Sequence, residues 1–115
     1  MIGIGSGSTS YMALLAIAEK VKAEILQIKG IPTSVELGMA CSRLGIPLTS
    51  LLESKPDWSF DGADEVDPNN NLIKGRGGAM FKEKLSISSS PVTYILIDES
   101  KIVDKLGTNF PVPVE

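Results

Sequence analysis

Side chains capable of acid–base chemistry are concentrated in the segment SFDGADEVDPNNNLIKGRGGAMFKEK, residues 59–84. Within it, Asp61, Asp64, Glu65 and Asp67 lie close together and precede a lysine and a run of glycines. A positioned carboxylate can act as a general base, and a lysine can neutralise charge that develops on a substrate oxygen. The segment is therefore a candidate site for proton transfer.

The acidic run also has two simpler interpretations, a solvated surface loop and a calcium-binding loop that begins at Asp67. The calcium loop fails because its sixth position is Leu72 rather than glycine and its twelfth is Gly78 rather than glutamate. Against a plain surface loop, Asp61 directly follows WSF, which we predict to be a buried strand. The Gly-Ala dipeptide after Asp61 leaves room for a ligand against the backbone.

The second half of the segment, LIKGRGGAMFKEK, places Lys74 at the end of a predicted strand, before glycines and a helix. Lys74 could therefore oppose a developing oxyanion. Glu83 lies on the helix that follows, between Lys82 and Lys84. From this spacing alone, we expect Glu83 to be a surface residue.

A glycine-rich turn, GIGSGST, opens the chain between a predicted strand and a predicted helix. Glycines allow close approach of a ligand, and a helix N-terminus offers free N–H groups, so the turn suits a phosphate. A dinucleotide site would need a third glycine where Ser8 stands, and no Gly-Lys-Ser/Thr sequence follows, as a P-loop requires. The alternative is a plain turn in which Ser8 or Thr9 caps the helix.

Composition narrows the classes of function. The 115 residues carry a net charge of −3 and show no Lys/Arg stripe, so we expect no nucleic-acid partner. There is no histidine, which excludes histidine-dependent triads and histidine metal sites. The single cysteine, Cys41, rules out an intrachain disulfide, and we expect it to be a packed thiol. We see neither a membrane-length apolar run nor a signal peptide, and expect no membrane partner and a reducing, aqueous compartment.

Predicted strands alternate with predicted helices along the chain, which indicates an α/β fold with a mainly parallel sheet flanked by helices. We expect residues 1–115 to form one domain. The predicted strands are MIGIG, EILQIKG, IPLTSL, WSF, LIK and VTYILID, the last suited to a sheet buried on both faces. The predicted helices are residues 9–21, a helix that begins at a Thr33–Glu36 capping box and ends at Gly45, and a helix from Gly77 or Gly78 through AMFKEKLSIS.

Loops that follow parallel strands meet at the carboxyl edge of a sheet, where α/β proteins bind ligands. Residues 5–9, 61–67, 74–78 and 98–101 all follow predicted strands. We therefore expect these four loops to converge on one site.

Four motifs together resemble ribose-5-phosphate isomerase of type A. They are GIGSGST, DGADEVD, LIKGRGGAMFKEK and DESK, in the order and spacing of that family, and they span nearly the whole chain. The resemblance implies a Rossmann-like domain followed by a smaller α+β domain. It also implies an aldose–ketose isomerase of the pentose phosphate pathway, which interconverts ribose 5-phosphate and ribulose 5-phosphate through a cis-enediolate without metal or organic cofactor.

The resemblance also assigns roles to residues. Glu83 resembles the catalytic base, Lys74 the counter-charge of the enediolate, and Asp61 and Asp64 the groups that hold sugar hydroxyls and help open the ring, with their roles undivided. Position 76 is arginine where many members have glycine, which we interpret as a tolerated variant, and its effect on packing near the site is left open. The implied substrate-binding residues are Ser6, Gly7, Ser8, Thr9, Asp61, Gly62, Ala63, Asp64, Lys74, Gly75, Arg76, Gly77 and Lys101.

Family members are much longer than this chain, and both of its ends look cut. We expect a preceding helix and most of the second domain to be missing, with residues 109–115 the start of that domain or a return strand. The longer form is expected to be a homodimer or homotetramer in the cytoplasm, or in a plastid if the source is a plant. The alternatives are an inactive fragment, a sugar-phosphate sensor and a dinucleotide-binding domain.

Overall fold

Short strands and three α-helices alternate along the chain, as predicted. The computed structural model describes residues 1–114. The strands within this range are β1 (Ile2–Ile4), β2 (Gly30–Pro32), β3 (Trp58–Gly62), β4 (Glu65–Val66), β5 (Leu72–Ile73) and β6 (Thr93–Leu96). The helices are α1 (Ser8–Glu24), α2 (Val35–Arg43), α3 (Met80–Ser89) and a 3₁₀ turn at Glu99–Lys101.

The main sheet is parallel throughout and has the strand order β2-β1-β3-β6. β4 and β5 form a separate antiparallel hairpin. Successive residues of a strand point to opposite faces, and β1 shows this clearly. Ile2 and Ile4 pack in the core with residues of α1 and α2, whereas a Cβ on Gly3 would meet Ser86 of α3. Helices therefore cover both faces of the sheet, and the α/β prediction is confirmed.

The core lies between the sheet and the α1–α2 layer. Its buried residues include Leu14 of α1, Phe60 of β3 and Cys41 of α2. Cys41 has no exposed surface, and burial raises the pKa of its thiol. The prediction of a packed thiol is confirmed.

The capping box predicted at Thr33 and Glu36 is wrong. Ser34 caps α2 by accepting a hydrogen bond from the Leu37 N–H. The Thr33 hydroxyl instead donates to the Ile4 carbonyl and bonds the Ser6 hydroxyl. Thr33 directly follows β2, so the partners available at the sheet edge compete with the role of cap.

Three strand predictions also need correction. The segment EILQIKG is not a strand, since α1 continues to Glu24 and the strand begins at Gly30. The segment IPLTSL contributes a single bridge, between Leu48 and Gly30. VTYILID forms β6, but at an edge of the sheet, and Tyr94 is 56% exposed. Aliphatic composition indicates a strand but does not determine its place in the sheet.

None of the described helices is both long enough and apolar enough to span a membrane. Residues 110–114 have no regular secondary structure. The prediction for residues 109–115 falls partly on Glu115, which lies outside the described residues, and it stays a prediction.

Candidate active site

Four loops meet in a cleft of about 210 Å³ at the carboxyl edge of the sheet. They are the four loops expected to converge, together with the first turn of α3, but residues 74–77 follow β5 of the antiparallel hairpin and not, as predicted, a strand of the parallel sheet. Every residue to which the family resemblance gave a catalytic or substrate-binding role lines this cleft, although the role of each stays a prediction, whereas Glu65 and Asp67 of the acidic motif do not line it. The lining residues are Ser6, Gly7, Ser8, Thr9, Asp61, Gly62, Ala63, Asp64, Lys74, Gly75, Arg76, Gly77, Glu83, Asp98 and Lys101.

Two buried carboxylates share one lysine at the centre of the cleft. The Lys74 Nζ lies 3.1 Å from the Asp61 Oδ2 and 3.7 Å from the Glu83 Oε2, and it also donates to the Gly62 carbonyl. Asp61 is 2% exposed and Glu83 is 7% exposed. A single cation therefore compensates two carboxylates that are largely removed from water.

Burial raises the pKa of Glu83, and the neighbouring charge of Asp61 raises it further, while Lys74 opposes both effects. Burial likewise raises the pKa of Asp61, against the charge of Lys74 and the Gly62 N–H, which donates to the Asp61 Oδ1 at 2.8 Å. A carboxylate with a raised pKa binds a proton more tightly than an ordinary one. Such a group suits general-base chemistry near neutral pH.

The surface position that spacing alone indicated for Glu83 is wrong. Glu83 and Ser86 are three residues apart, so they share one face of α3, and both are buried. That face can approach the sheet closely because Gly3 has no side chain where it meets Ser86. The lysines on either side of Glu83 point elsewhere and are exposed.

The glycine turn presents an uncapped helix N-terminus to the cleft. Gly7, rather than Ser8 or Thr9, is the N-cap of α1, with φ at 101°, and no side chain caps the helix. A Cβ at Gly7 would meet no atom within 4 Å, so this side of the turn is open. The first N–H groups of α1 are therefore available to an anion.

The sequence analysis gave no role to two residues of the site region, although one of them, Asp98, lies in the 98–101 loop that was expected there. Thr33 holds the turn in place, since its hydroxyl lies 2.8 Å from that of Ser6. The sequence offered no signal for this role, because the predicted strand ended at Gly30 and Thr33 matched a capping box. Asp98 lines the cleft and accepts the Ser100 N–H at 2.8 Å, which caps the 3₁₀ turn before Lys101.

Arg76 and Lys101, two cationic residues that line the cleft, have identifiable contacts. The Asp64 Oδ2 accepts the backbone N–H of Arg76 at 3.1 Å. The Arg76 guanidinium carbon lies 4.2 Å from the centroid of the Phe110 ring, and the Lys101 Nζ lies 5.7 Å from it. Arg76 thus packs on an aromatic side chain. Within residues 1–114, no group of three or more Asp, Glu or Cys side chains has the arrangement of a metal site.

Gly5 leaves the space that the Asp61 carboxyl occupies, which gives a first prediction. A Cβ at position 5 would lie 2.2 Å from the Asp61 Cγ. We expect Gly5→Ala to push Asp61 away from Lys74 and to lower the free energy of unfolding by about 1–3 kcal/mol, as overpacking does. Urea denaturation measures the change.

The matched control for this prediction is Gly38→Ala in α2, where the nearest atom to a new Cβ is at 3.5 Å. We expect this variant to be at least as stable as the unaltered chain, because alanine favours a helix more than glycine does. If Gly5→Ala is as stable as the unaltered chain, the Asp61 carboxyl does not lie as close to position 5 as the structure shows.

Comparison with solved structures places this fold among those of ribose-5-phosphate isomerases. A solved structure of ribose 5-phosphate isomerase A from Methanocaldococcus jannaschii superposes with a TM-score of 0.92 at 41% identity, over 96% of this chain and 49% of that one. A D-ribose-5-phosphate isomerase in complex with phospho-erythronic acid superposes with the same score at 43% identity and the same coverage. Both show that the chain has the Rossmann-like α/β fold of these isomerases.

Sequence comparison gives the family. The model for ribose 5-phosphate isomerase A (phosphoriboisomerase A) matches residues 29–115. Ribose-5-phosphate isomerase A of Archaeoglobus fulgidus is 46% identical over 115 residues, which are 100% of this chain and 50% of the relative. The protein of that name from Desulfatibacillum aliphaticivorans is 48% identical over 100% of this chain and 51% of its own length. The chain belongs to the ribose 5-phosphate isomerase A family, and it spans about half the length of the relatives it matches.

Proposed function

We propose that the chain carries the catalytic site of an aldose–ketose isomerase that interconverts D-ribose 5-phosphate and D-ribulose 5-phosphate. The observation that carries this proposal is the arrangement of Glu83, Lys74 and Asp61. A buried carboxylate with a raised pKa lies 3.7 Å from an ammonium group, in a cleft that also receives an uncapped helix N-terminus. Family membership supports the same reaction.

The proposed chemistry is a proton transfer between adjacent carbons. Glu83 takes the proton from C2 of the open-chain aldose, and the bonding electrons move towards the C1 carbonyl to give a cis-enediolate. Lys74 stabilises the negative charge on the enediolate oxygens. Glu83 then returns its proton to C1, while the proton of the C2 hydroxyl ends on O1, so that the ketose forms with no net gain or loss of protons.

The remaining residues of the cleft bind the substrate in this proposal. Asp61 lies beside Lys74 and Asp64 lines the same cleft, so both can accept hydrogen bonds from sugar hydroxyls, and either can assist ring opening. The turn of residues 6–9 binds the 5-phosphate through the N–H groups of α1 and the hydroxyls of Ser6, Ser8 and Thr9. Lys101 and Arg76 supply positive charge around the phosphate. This charge is needed because an anionic substrate binds in a cleft that already contains several carboxylates. No cofactor takes part in the proposed reaction.

The test is a direct assay of ribulose 5-phosphate formation from ribose 5-phosphate. It is run with the 115-residue chain and with the protein expressed from its complete gene. Turnover by either protein supports an isomerase, and turnover by the chain shows that this half holds a working site. Binding of phospho-erythronic acid without turnover in both proteins would replace the proposal with a non-catalytic sugar-phosphate-binding domain. If neither protein binds phospho-erythronic acid and neither turns over ribose 5-phosphate, the proposal is overturned.

The raised pKa of Glu83 predicts the pH dependence. The base must be ionised to act, so kcat falls as pH drops through the pKa of Glu83, which lies above the ordinary glutamate value of about 4.3. Because Asp61 and Glu83 interact, the acid limb reports an apparent pKa of the pair. The test is to measure kcat with saturating substrate from acid to neutral pH. Under these conditions kcat does not depend on the ionisation of the free substrate. An acid limb at or below the ordinary glutamate value would contradict it.

We also propose that the longer form of the protein is a cytoplasmic homodimer or homotetramer. Large apolar side chains stand exposed on the described surface, among them Leu52 at 98% and Phe81 at 63%, and such side chains favour association. Light scattering after size-exclusion chromatography measures the number of copies. A monomer at micromolar concentration would exclude this assembly.

A further inference from the structure

The acidic motif contains a carboxylate that the proposed mechanism does not use. Glu65 lies on β4, next to Asp64, but it does not line the cleft. Its side chain has no exposed surface. A buried carboxylate is costly unless hydrogen bonds compensate its charge, so its partners indicate its role.

Those partners are three backbone N–H groups of the loop formed by residues 107–110. The Glu65 Oε2 accepts the Gly107 N–H at 2.6 Å, and the Oε1 accepts the N–H groups of Asn109 and Phe110, the latter at 3.1 Å. Burial alone would raise the pKa of Glu65, but these N–H groups hold it below its usual value. The carboxylate is therefore ionised at neutral pH and holds the loop.

This loop carries the aromatic ring on which two cations of the cleft pack. The Phe110 centroid lies 4.2 Å from the Arg76 guanidinium carbon and 5.7 Å from the Lys101 Nζ. Both distances fall within the range of about 6 Å over which a cation is attracted to an aromatic face. Arg76 and Lys101 both line the cleft.

The same strand also holds the backbone that follows Lys101. The Val66 carbonyl accepts the Val103 N–H at 2.9 Å, and Val66 forms a bridge with Ile102. β4 thus contacts the segment after Lys101 through its backbone and the Phe110 loop through Glu65.

We propose that Glu65 is a positioning residue, which acts through Phe110 to hold Arg76 and Lys101 where they meet the substrate phosphate. The inference rests on the proposed function, because it assigns the two cations to the phosphate of a sugar-phosphate substrate. Two mobile cations would each lose side-chain freedom on binding the phosphate, whereas cations already packed on a fixed ring lose less. Replacing Glu65 or Phe110 should therefore weaken substrate binding and leave the rate of the chemical step nearly unchanged.

The test compares Phe110→Leu with Phe110→Tyr in the protein expressed from its complete gene. Leucine removes the aromatic face and tyrosine keeps it, and Phe110 is a half-buried loop residue outside the core, so both variants should fold. We expect Phe110→Leu to raise KM for ribose 5-phosphate about threefold to tenfold, with kcat changed less than about twofold. Phe110→Tyr should match the unaltered protein. Glu65→Gln, which places an amide where three N–H groups need an acceptor, should raise KM in the same way.

Calorimetric titration with phospho-erythronic acid gives a readout that does not depend on turnover. Its dissociation constant should rise by the same factor in Phe110→Leu and stay unchanged in Phe110→Tyr. If the leucine and tyrosine variants bind and turn over alike, the inference is overturned while the proposed function stands. If the unaltered protein shows no turnover, the proposed function fails, and the calorimetric comparison still decides the role of Phe110.

Discussion

Replacement of Glu83 by glutamine is expected to lower kcat by at least about a hundredfold, because the amide cannot take the C2 proton. Glutamine has nearly the same shape as glutamate, so the contacts of α3 with the sheet should be retained. It also removes one of the two carboxylates beside Lys74, which relieves a repulsion rather than creating one. The protein should therefore stay folded while it loses activity, and KM should change much less than kcat. Steady-state kinetics with ribose 5-phosphate measures both quantities.

The matched control is Glu19→Gln on the exposed side of α1, a position that does not line the cleft. Its kcat should equal that of the unaltered protein, which separates the loss of the base from a general effect of removing one carboxylate. Unfolding curves for both variants show whether the fold is retained. Near-normal turnover by Glu83→Gln would remove Glu83 from the mechanism and leave Asp61 as the candidate base.

Replacement of Lys74 by methionine is expected to lower kcat by a factor on the order of 10² to 10³, the usual effect of removing one group that stabilises an oxyanion. Methionine has a side chain of similar length but no charge. The ammonium group lowers the pKa of both Asp61 and Glu83. Its loss should therefore move the acid limb of kcat to higher pH as well as lower its plateau.

Stability should respond to pH in a defined direction in this variant. Without Lys74, two buried carboxylates face each other, and each binds a proton more tightly in the folded state than in the unfolded one. The free energy of unfolding should then rise as pH falls through these raised pKa values, and fall as pH rises through them. Urea denaturation at several pH values measures the trend.

The control for these effects is Lys82→Met, one residue before Glu83 on the exposed side of α3. It should leave kcat, the acid limb and the pH dependence of stability unchanged. If Lys74→Met keeps a kcat within about fivefold of the unaltered protein, Lys74 does not supply the main charge stabilisation in the transition state.

Several features of the site could be predicted from local sequence. The apolar stretch before Asp61 indicated a buried strand, and β3 carries Asp61 at 2% exposure near its carboxyl end. Alternation of strands and helices predicted a parallel sheet, and the carboxyl edge of a parallel sheet brings the loops after its strands together. The convergence of residues 6–9 and 61–64 in one cleft follows from that rule, whereas residues 74–77 reach the cleft from β5 of the antiparallel hairpin, which lies outside the parallel sheet.

Other features depend on contacts between distant segments. Glu83 lies between two lysines in sequence, yet it is buried, because the absence of a side chain at Gly3 lets α3 approach the sheet. Thr33 matched a capping box, but the Ile4 carbonyl and the Ser6 hydroxyl bind it instead. β6 has the composition of a central strand, and only the sheet order places it at an edge.

The acidic motif shows the same division within one short stretch. Its sequence alone determined that several carboxylates would follow a buried strand, because residue type and hydrophobic pattern are local properties. The tertiary structure decided what each carboxylate does: Asp61 pairs with Lys74, Asp64 holds the Arg76 backbone, and Glu65 turns away to bind the 107–110 loop. The physical reason is that burial, charge compensation and pKa depend on groups that meet only after the chain has folded.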